Sequence, residues 1–104
     1  MSESERRERA VQAVAGIVHE FGNYETVERM SEELGVDELR SAAVERLLAP
    51  ELTGVALPLV QGIVRHLGLE SERPRVEAVL CDPAQPRAVR ARMADLVAFF
   101  GLDE

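Results

Sequence analysis

Apolar residues recur every three or four positions along most of the chain, a spacing typical of amphipathic helices. The most apolar of these segments is LPLVQGIVRHLGL, residues 57–69. Its apolar stripe consists of Leu59, Val60, Ile63, Val64 and Leu67, and its polar side of Gln61, Gly62, Arg65 and His66. Pro58 suits the first turn of a helix, where its missing N–H needs no partner, and Gly68 is placed to end the helix. We therefore expect the other helices to pack around this one.

The same spacing predicts six helices, at approximately 3–21, 24–34, 38–49, 57–67, 74–81 and 86–100. Ser2 and Glu5 have the spacing of a capping box, and Asn23 and Asp37 suit the N-caps of the second and third helices. Three further glycines are placed to end helices: Gly22, Gly35 and Gly101. No run alternates with period two, so no strand is predicted. Residues 74–81 fit either a true helix or an irregular turn.

These features predict an all-α fold, a compact orthogonal or mixed bundle of five or six short helices in a single domain, residues 1–104. Hydrophobic residues make up 46% of the chain but aromatic residues only 4%, so the core has to be built from Leu, Val and Ala. In the first helix Ala10, Val11, Val14, Ile17 and Val18 keep one face apolar. Such a core suits close-packed helices better than sheets.

The sequence offers little for catalysis. His19 and His66 both fall on polar helix faces, without a second ligand three or four residues away. Cys81 has no paired histidine in its neighbourhood, and we expect a buried or half-buried structural thiol. Each glycine near a helix end is accounted for as a stop, which leaves no glycine-rich phosphate loop. We predict no metal, no cofactor and no enzymatic activity.

Cysteine usage and hydropathy bear on location. A single cysteine excludes an intrachain disulfide and favours a reducing compartment. The first ten residues, MSESERRERA, lack the apolar run of a signal peptide, and no apolar stretch approaches the length of a membrane span. We expect a cytoplasmic protein without a membrane partner.

Charge is distributed unevenly along the chain. The formal net charge is −7, and all twelve basic residues are Arg. Residues 1–52 hold six arginines against twelve acidic residues, whereas residues 73–92 hold five arginines against two. Two interpretations remain open: solvated faces with weak ion pairs, or a polarised surface that docks another protein or a second copy of the chain. For the second we predict partner-binding residues near the last two helices: Arg73, Arg75, Arg87, Arg90, Arg92 and Phe99.

Residues 24–48 resemble a helix-turn-helix motif. Leu34, Gly35 and Val36 match the hydrophobic–glycine–hydrophobic turn of that family, and the resemblance implies DNA binding through the second helix. Ser41 departs from the pattern, since the family buries a branched apolar residue there. The second helix also sums to a charge of −1, which disfavours contact with phosphates.

Taken together, the sequence predicts a small cytoplasmic protein–protein interaction or adaptor module with a polarised charged surface and without catalytic activity. A helix-turn-helix DNA-binding regulator using residues 24–48 is the alternative, although nucleic acid is the less favoured partner. A sensor domain with a small-ligand pocket between helices is a remoter alternative, which a ligand-dependent rise in melting temperature would reveal.

Overall fold

The computed structural model describes residues 2–19, 24–52 and 54–100, apart from the side chains of Tyr24 and Glu70. Within these ranges it contains helices and no strand. The helices are α1 (Glu3–His19), α2 (Tyr24–Leu34), α3 (Val36–Leu47), α4 (Ala56–Leu67), α5 (Arg73–Cys81) and α6 (Arg87–Phe100), with a 3-10 turn at Glu70–Glu72. The prediction of a small all-α bundle is confirmed, and residues 74–81 lie in a true helix.

Several helix ends follow the local signals in the sequence. At the start of α1 the Glu5 N–H donates to Ser2 Oγ at 3.2 Å, as expected of the capping residue. Gly35 and Gly68 end α2 and α4 with φ of 92° and 88°, a region that residues with a Cβ rarely adopt. The signals at Gly22, Asn23 and Gly101 lie outside the described residues.

The prediction that Asp37 caps α3 is wrong. The helix begins one residue earlier, at Val36, with Gly35 in the capping position and no side-chain cap. Asp37 therefore lies within the first turn, where its carboxylate accepts a hydrogen bond from Arg40 Nη1 at 2.7 Å. A negative charge in the first turn still favours the helix, because it faces the positive end of the helix dipole.

The centre of the bundle is α3 rather than α4, contrary to the sequence-based expectation. α3 packs against α1, α2, α4 and the 3-10 turn, and half of its twelve residues are buried. Ala42 and Ala43 lie on its buried sides, and side chains this small let neighbouring helices approach closely. The more apolar α4 packs against α3, α6 and α1. The apolar content of a helix therefore did not show which helix packs against the most neighbours.

Two other burial predictions are corrected. Gln61, which the helical stripe placed on the polar side, is only 6% exposed, and its Nε2 donates to the carbonyl of Arg92 at 3.5 Å. It is buried because α4 lies between α3 and α6 and so has two covered faces. Val11, expected to face the core from α1, is 48% exposed. The remaining stripe residues of α1 are buried or half-buried.

Candidate functional site

Arg92 does not belong to an interaction surface, so this part of the sequence-based prediction is wrong. Arg92 is only 3% exposed, and its guanidinium donates hydrogen bonds to four backbone carbonyls. Nη1 contacts the oxygens of Leu47 at 3.2 Å and Ala49 at 2.6 Å, while Nη2 contacts those of Pro50 and Leu52. The last carbonyls of a helix lack partners within it. Arg92 satisfies that of Leu47, the last residue of α3, and donates to three more carbonyls in the turn that follows.

Two more of the predicted arginines are engaged inside the fold. Arg90 is half-buried, and its Nε donates to the carbonyl of Leu80 at 3.1 Å, near the end of α5. Arg75 is also half-buried and forms ion pairs with Glu72, at 2.9 Å, and with Glu45 on α3. Both side chains link helices. The charge of Arg75 is paired with two carboxylates, whereas Arg90 donates to a neutral carbonyl, which holds its side chain in a half-buried position without neutralising it.

The rest of the predicted surface is Arg73, Arg87 and Phe99, all exposed. Phe99 was predicted to share a surface with the arginines of the last two helices, but the structure places Arg65 of α4 beside it, with the guanidinium carbon 5.2 Å from the ring centroid. A guanidinium at this distance from an aromatic ring is attracted to its electron-rich face. Phe99 remains 58% exposed, so this contact leaves most of the ring in solvent.

Arg40 repeats the arrangement found for Arg92 and bears on the resemblance to helix-turn-helix proteins. It is 3% exposed, and its Nε and Nη2 donate to the carbonyls of Gly68 and Leu67 at 2.8 and 2.9 Å, at the end of α4. The exposed charges of α3 are Asp37, Glu45 and Arg46. The second helix of the motif therefore presents a net negative face.

The sequence contains a signal for the buried arginines that the charge count overlooked. Arg92 lies within the helical stripe formed by Val89, Met93 and Leu96, all of which are buried. Arg40 lies in the same way in the buried stripe of α3 that contains Leu39, Ala43, Val44 and Leu47. A charged residue in register with a core stripe is buried together with its neighbours and needs hydrogen-bond partners there.

The two histidines and the cysteine lie on three different helices, α1, α4 and α5. His19 and His66 are exposed, as expected of residues on polar faces, and His66 Nε2 lies 3.7 Å from a carboxylate oxygen of Glu28 on α2. Cys81 is exposed, so the prediction of a buried or half-buried thiol is wrong. It ends α5, whose buried face uses Val76 and Val79. The described residues contain no cluster of three or more His, Cys, Asp or Glu side chains suited to a metal ion.

The described part of the surface contains an apolar cavity of about 190 Å³ between α1, α3 and the start of α4. Buried Ala42 and Val60 form part of its floor, and Val11 and Ala15 stand exposed at its edge on α1. Arg46 is the charged residue in its wall. A cavity of ~150 Å³ is large enough for a benzene-sized group, so this one has room for an aliphatic or aromatic side chain.

The cavity continues along α1 and α3 into a polar groove. A second cavity shares Val11 and Ala42 with the first, and adds Arg7, Glu38 and Glu45. A third shares Arg7, Glu38 and Ser41 with the second, and adds Glu3, Asp37 and Glu72. We call the three together the α1–α3 groove, with an apolar end at Val11 and Val60 and an acidic end at Glu3 and Glu38.

The electrostatics of the acidic end are set partly by burial. Burial raises the pKa of Glu72 above its ordinary value; Arg40 opposes this rise and Asp37 adds to it. The neighbouring guanidinium of Arg75 has a lowered pKa, mainly through burial and secondly through the positive charge of Arg7. Arg75 nevertheless stays protonated near neutral pH, because an arginine pKa starts far above it. Arg75 is therefore a cation available to the carboxylates of Glu72 and Glu45.

None of the helices in the described part of the chain is both long and apolar enough to cross a membrane. Comparison with known proteins finds no matching family model, no matching curated protein and no matching solved structure. The function must therefore be argued from the residues of the bundle themselves.

Proposed function

We propose that this protein is a small cytoplasmic protein–protein interaction module without catalytic activity, and that it binds a helical segment of its partner in the α1–α3 groove. The observation that carries the proposal is the apolar end of that groove. Val11 and Ala15 are exposed there beside a cavity with buried apolar walls. Amphipathic helices bind such grooves by inserting apolar side chains spaced three or four residues apart.

The exposed valines extend this argument beyond the cavity. Val55, which precedes α4 and adjoins cavity residue Ala56, is 70% exposed, and Val11 is 48% exposed. Single exposed apolar residues are ordinary, but apolar residues grouped around a cavity are typical of binding sites. The exposed rim favours a peptide segment over a small enclosed ligand.

Fewer residues than predicted are left for the basic docking surface near the last two helices. Arg92 is buried, and Arg75 and Arg90 are engaged with other helices, so any basic docking surface would depend on Arg73 and Arg87 with Phe99. We treat that surface as a secondary contact. DNA binding through α3 is disfavoured by the same kind of observation, since Arg40 faces the interior and cannot reach a phosphate.

The test compares the wild type with Ala15→Glu, which places a charge at the rim of the groove. Ala15 is an exposed helical residue, so the substitution leaves the core intact. Ala91→Glu, at an exposed position of α6, is the matched control. A protein captured from nuclease-treated host lysate by the wild type is purified and its affinity for all three forms is measured by calorimetry.

We expect Ala15→Glu to weaken that affinity about tenfold or more, since burying a carboxylate in an apolar contact is costly, and Ala91→Glu to have no effect. Equal affinity for all three forms would refute the groove as the binding site. Retention that is lost on nuclease treatment would instead favour the nucleic-acid alternative.

A further inference from the structure

The lining of the α1–α3 groove changes from acidic at one end to apolar at the other, and this change restricts which ligands can bind. Among the residues that the structure describes, five acidic residues and one arginine line the two polar cavities, whereas Arg46 is the charged residue of the apolar cavity. The change takes place along α1, from Glu3 to Val18. At ~1.5 Å per residue these positions are about 22 Å apart along the helix axis.

Not all of the acidic charge is available to a partner. Asp37 is paired with Arg40, and Glu45 and Glu72 are paired with Arg75. Glu3 and Glu38 remain, which lie in the first turns of α1 and α3 and line the same cavity as Arg7. We therefore expect a partner to meet mainly these two carboxylates, which outnumber the one arginine beside them.

We infer that the groove selects a basic amphipathic helix of about four turns, whose apolar side chains fill the cavity at Val11 and whose Arg or Lys residues lie against Glu3 and Glu38. This inference rests on the proposed function and adds the charge pattern of the ligand. Opposite charges at one end fix the direction in which the helix lies and discriminate against acidic helices. The chain's own net charge of −7 likewise favours a basic partner over a second copy.

The experiment uses fluorescein-labelled model peptides with the full-length protein. One peptide carries two leucines one turn apart near one end and three arginines near the other. A second has glutamates in place of the arginines, and a third has serines in place of the leucines. The basic peptide is also made with its sequence reversed, because the groove accepts a helix in one direction only. Binding is followed by fluorescence anisotropy at low and at high salt.

Two protein variants test the charge preference of the groove separately from the binding of a helix in the groove. The double variant Glu3→Gln, Glu38→Gln removes the acidic charge, with Glu32→Gln, Glu77→Gln at exposed positions as its matched control. Ala15→Glu blocks the apolar end.

We expect one orientation of the basic peptide to bind tighter than the acidic peptide by about fivefold or more at low salt, a preference that added salt reduces by screening. The Glu3/Glu38 variant should lose most of this preference, the control should keep it, and the serine peptide should bind weakly.

The contrary outcomes are distinct. Equal binding of basic and acidic peptides, with both weakened by Ala15→Glu, would overturn the charge inference and leave the groove function standing. No binding by any peptide up to about 1 mM, or binding that Ala15→Glu leaves unchanged, would overturn both. Self-association in gel filtration that Ala15→Glu abolishes would identify a second copy as the occupant and also overturn the inference.

Discussion

Arg92 Nη1 lies 2.6 Å from the carbonyl oxygen of Ala49, and this hydrogen bond joins the last helix of the chain to the turn that follows α3. The contact belongs to a recurring arrangement in which an arginine from one helix reaches the end of another. Arg40 binds the end of α4, and Arg90 binds the carbonyl of Leu80 near the end of α5. Carbonyls at a helix C-terminus carry partial negative charge, and a planar guanidinium can reach two of them at once.

Replacing Arg92 is expected to destabilise the protein severely. Arg92→Ala removes the side-chain donor from the carbonyls of Leu47, Pro50 and Leu52, whereas that of Ala49 still accepts from the Leu52 N–H. We expect a loss of about 3 kcal/mol or more in the free energy of unfolding. Arg92→Lys keeps the charge but has fewer donors in a compact group, so about 1–2 kcal/mol should be lost. Urea denaturation followed by circular dichroism measures both.

Arg87→Ala is the matched control, because Arg87 is exposed on the same helix. It should change the free energy of unfolding by less than about 0.5 kcal/mol. Arg92→Ala with a stability equal to that of Arg87→Ala would mean that the hydrogen bonds to Leu47, Ala49, Pro50 and Leu52 contribute nothing to the fold.

Glu72 should make stability depend on pH. Its pKa is raised from an ordinary value of 4.5, chiefly by burial, so the folded state holds the proton more tightly than the unfolded state. The resulting stabilisation is fully present below pH ~4.5 and is lost as the pH rises through the raised pKa. Glu72→Gln cannot ionise and escapes this loss, while its amide oxygen can still accept a hydrogen bond from Arg75.

The stability of Glu72→Gln relative to the wild type should therefore increase between pH ~4 and pH ~7, as measured by urea denaturation at several pH values. Glu77→Gln, at an exposed position of α5, is the matched control and should show no such trend. A relative stability of Glu72→Gln that falls with rising pH would show that the ion pair with Arg75 outweighs burial.

Two glycine substitutions should have opposite effects. Gly35 has φ of 92°, so Gly35→Ala places a side chain in a strained backbone conformation and should cost about 1–2 kcal/mol. Gly62 lies within α4, where an added Cβ would meet no atom within 4 Å. Gly62→Ala should stabilise the protein by about 0.5–1 kcal/mol through helix propensity. Thermal unfolding of both variants and of the wild type tests the two predictions. Equal shifts in melting temperature would contradict the positive φ assigned to Gly35.

Cys81 should react readily in the native protein. Because its side chain is exposed at the end of α5, we expect a disulfide-forming reagent such as DTNB to label it without denaturant. The rate should be within about tenfold of that of a cysteine in a short peptide, and Cys81→Ser should change stability by less than about 0.5 kcal/mol. Labelling that requires denaturant would instead indicate a buried thiol, in agreement with the sequence-based prediction of a buried or half-buried one.

The predictions that held are those that depend on local chemistry. Helical spacing located the six α-helices of the described ranges, and the positive-φ glycines Gly35 and Gly68 end two of them. The helix at 74–81, which the sequence left open, is real. The errors at helix starts were small, as with Asp37, because neighbouring residues compete for the capping position and the local sequence does not decide between them.

The predicted site was less reliable, because a count of charges along the chain contains no information about what faces them. Arg92 and Arg87 look alike in such a count, yet one is buried against four carbonyls and the other is exposed. The α1–α3 groove was not predicted. Val11 was assigned to the core because its spacing fits the stripe of α1, and a stripe does not show how far the neighbouring helices extend to cover it.

By itself, the sequence determined that this protein is a bundle of short helices, since that follows from spacing, propensity and the conformational freedom of a few glycines. Only the tertiary structure decided which helix lies at the centre, which arginines are internal hydrogen-bond donors and where an apolar surface remains open. The physical reason is that these features arise from contacts between segments distant in sequence, such as Arg92 with the turn after α3. Such contacts depend on how whole helices fit together, which no local pattern records.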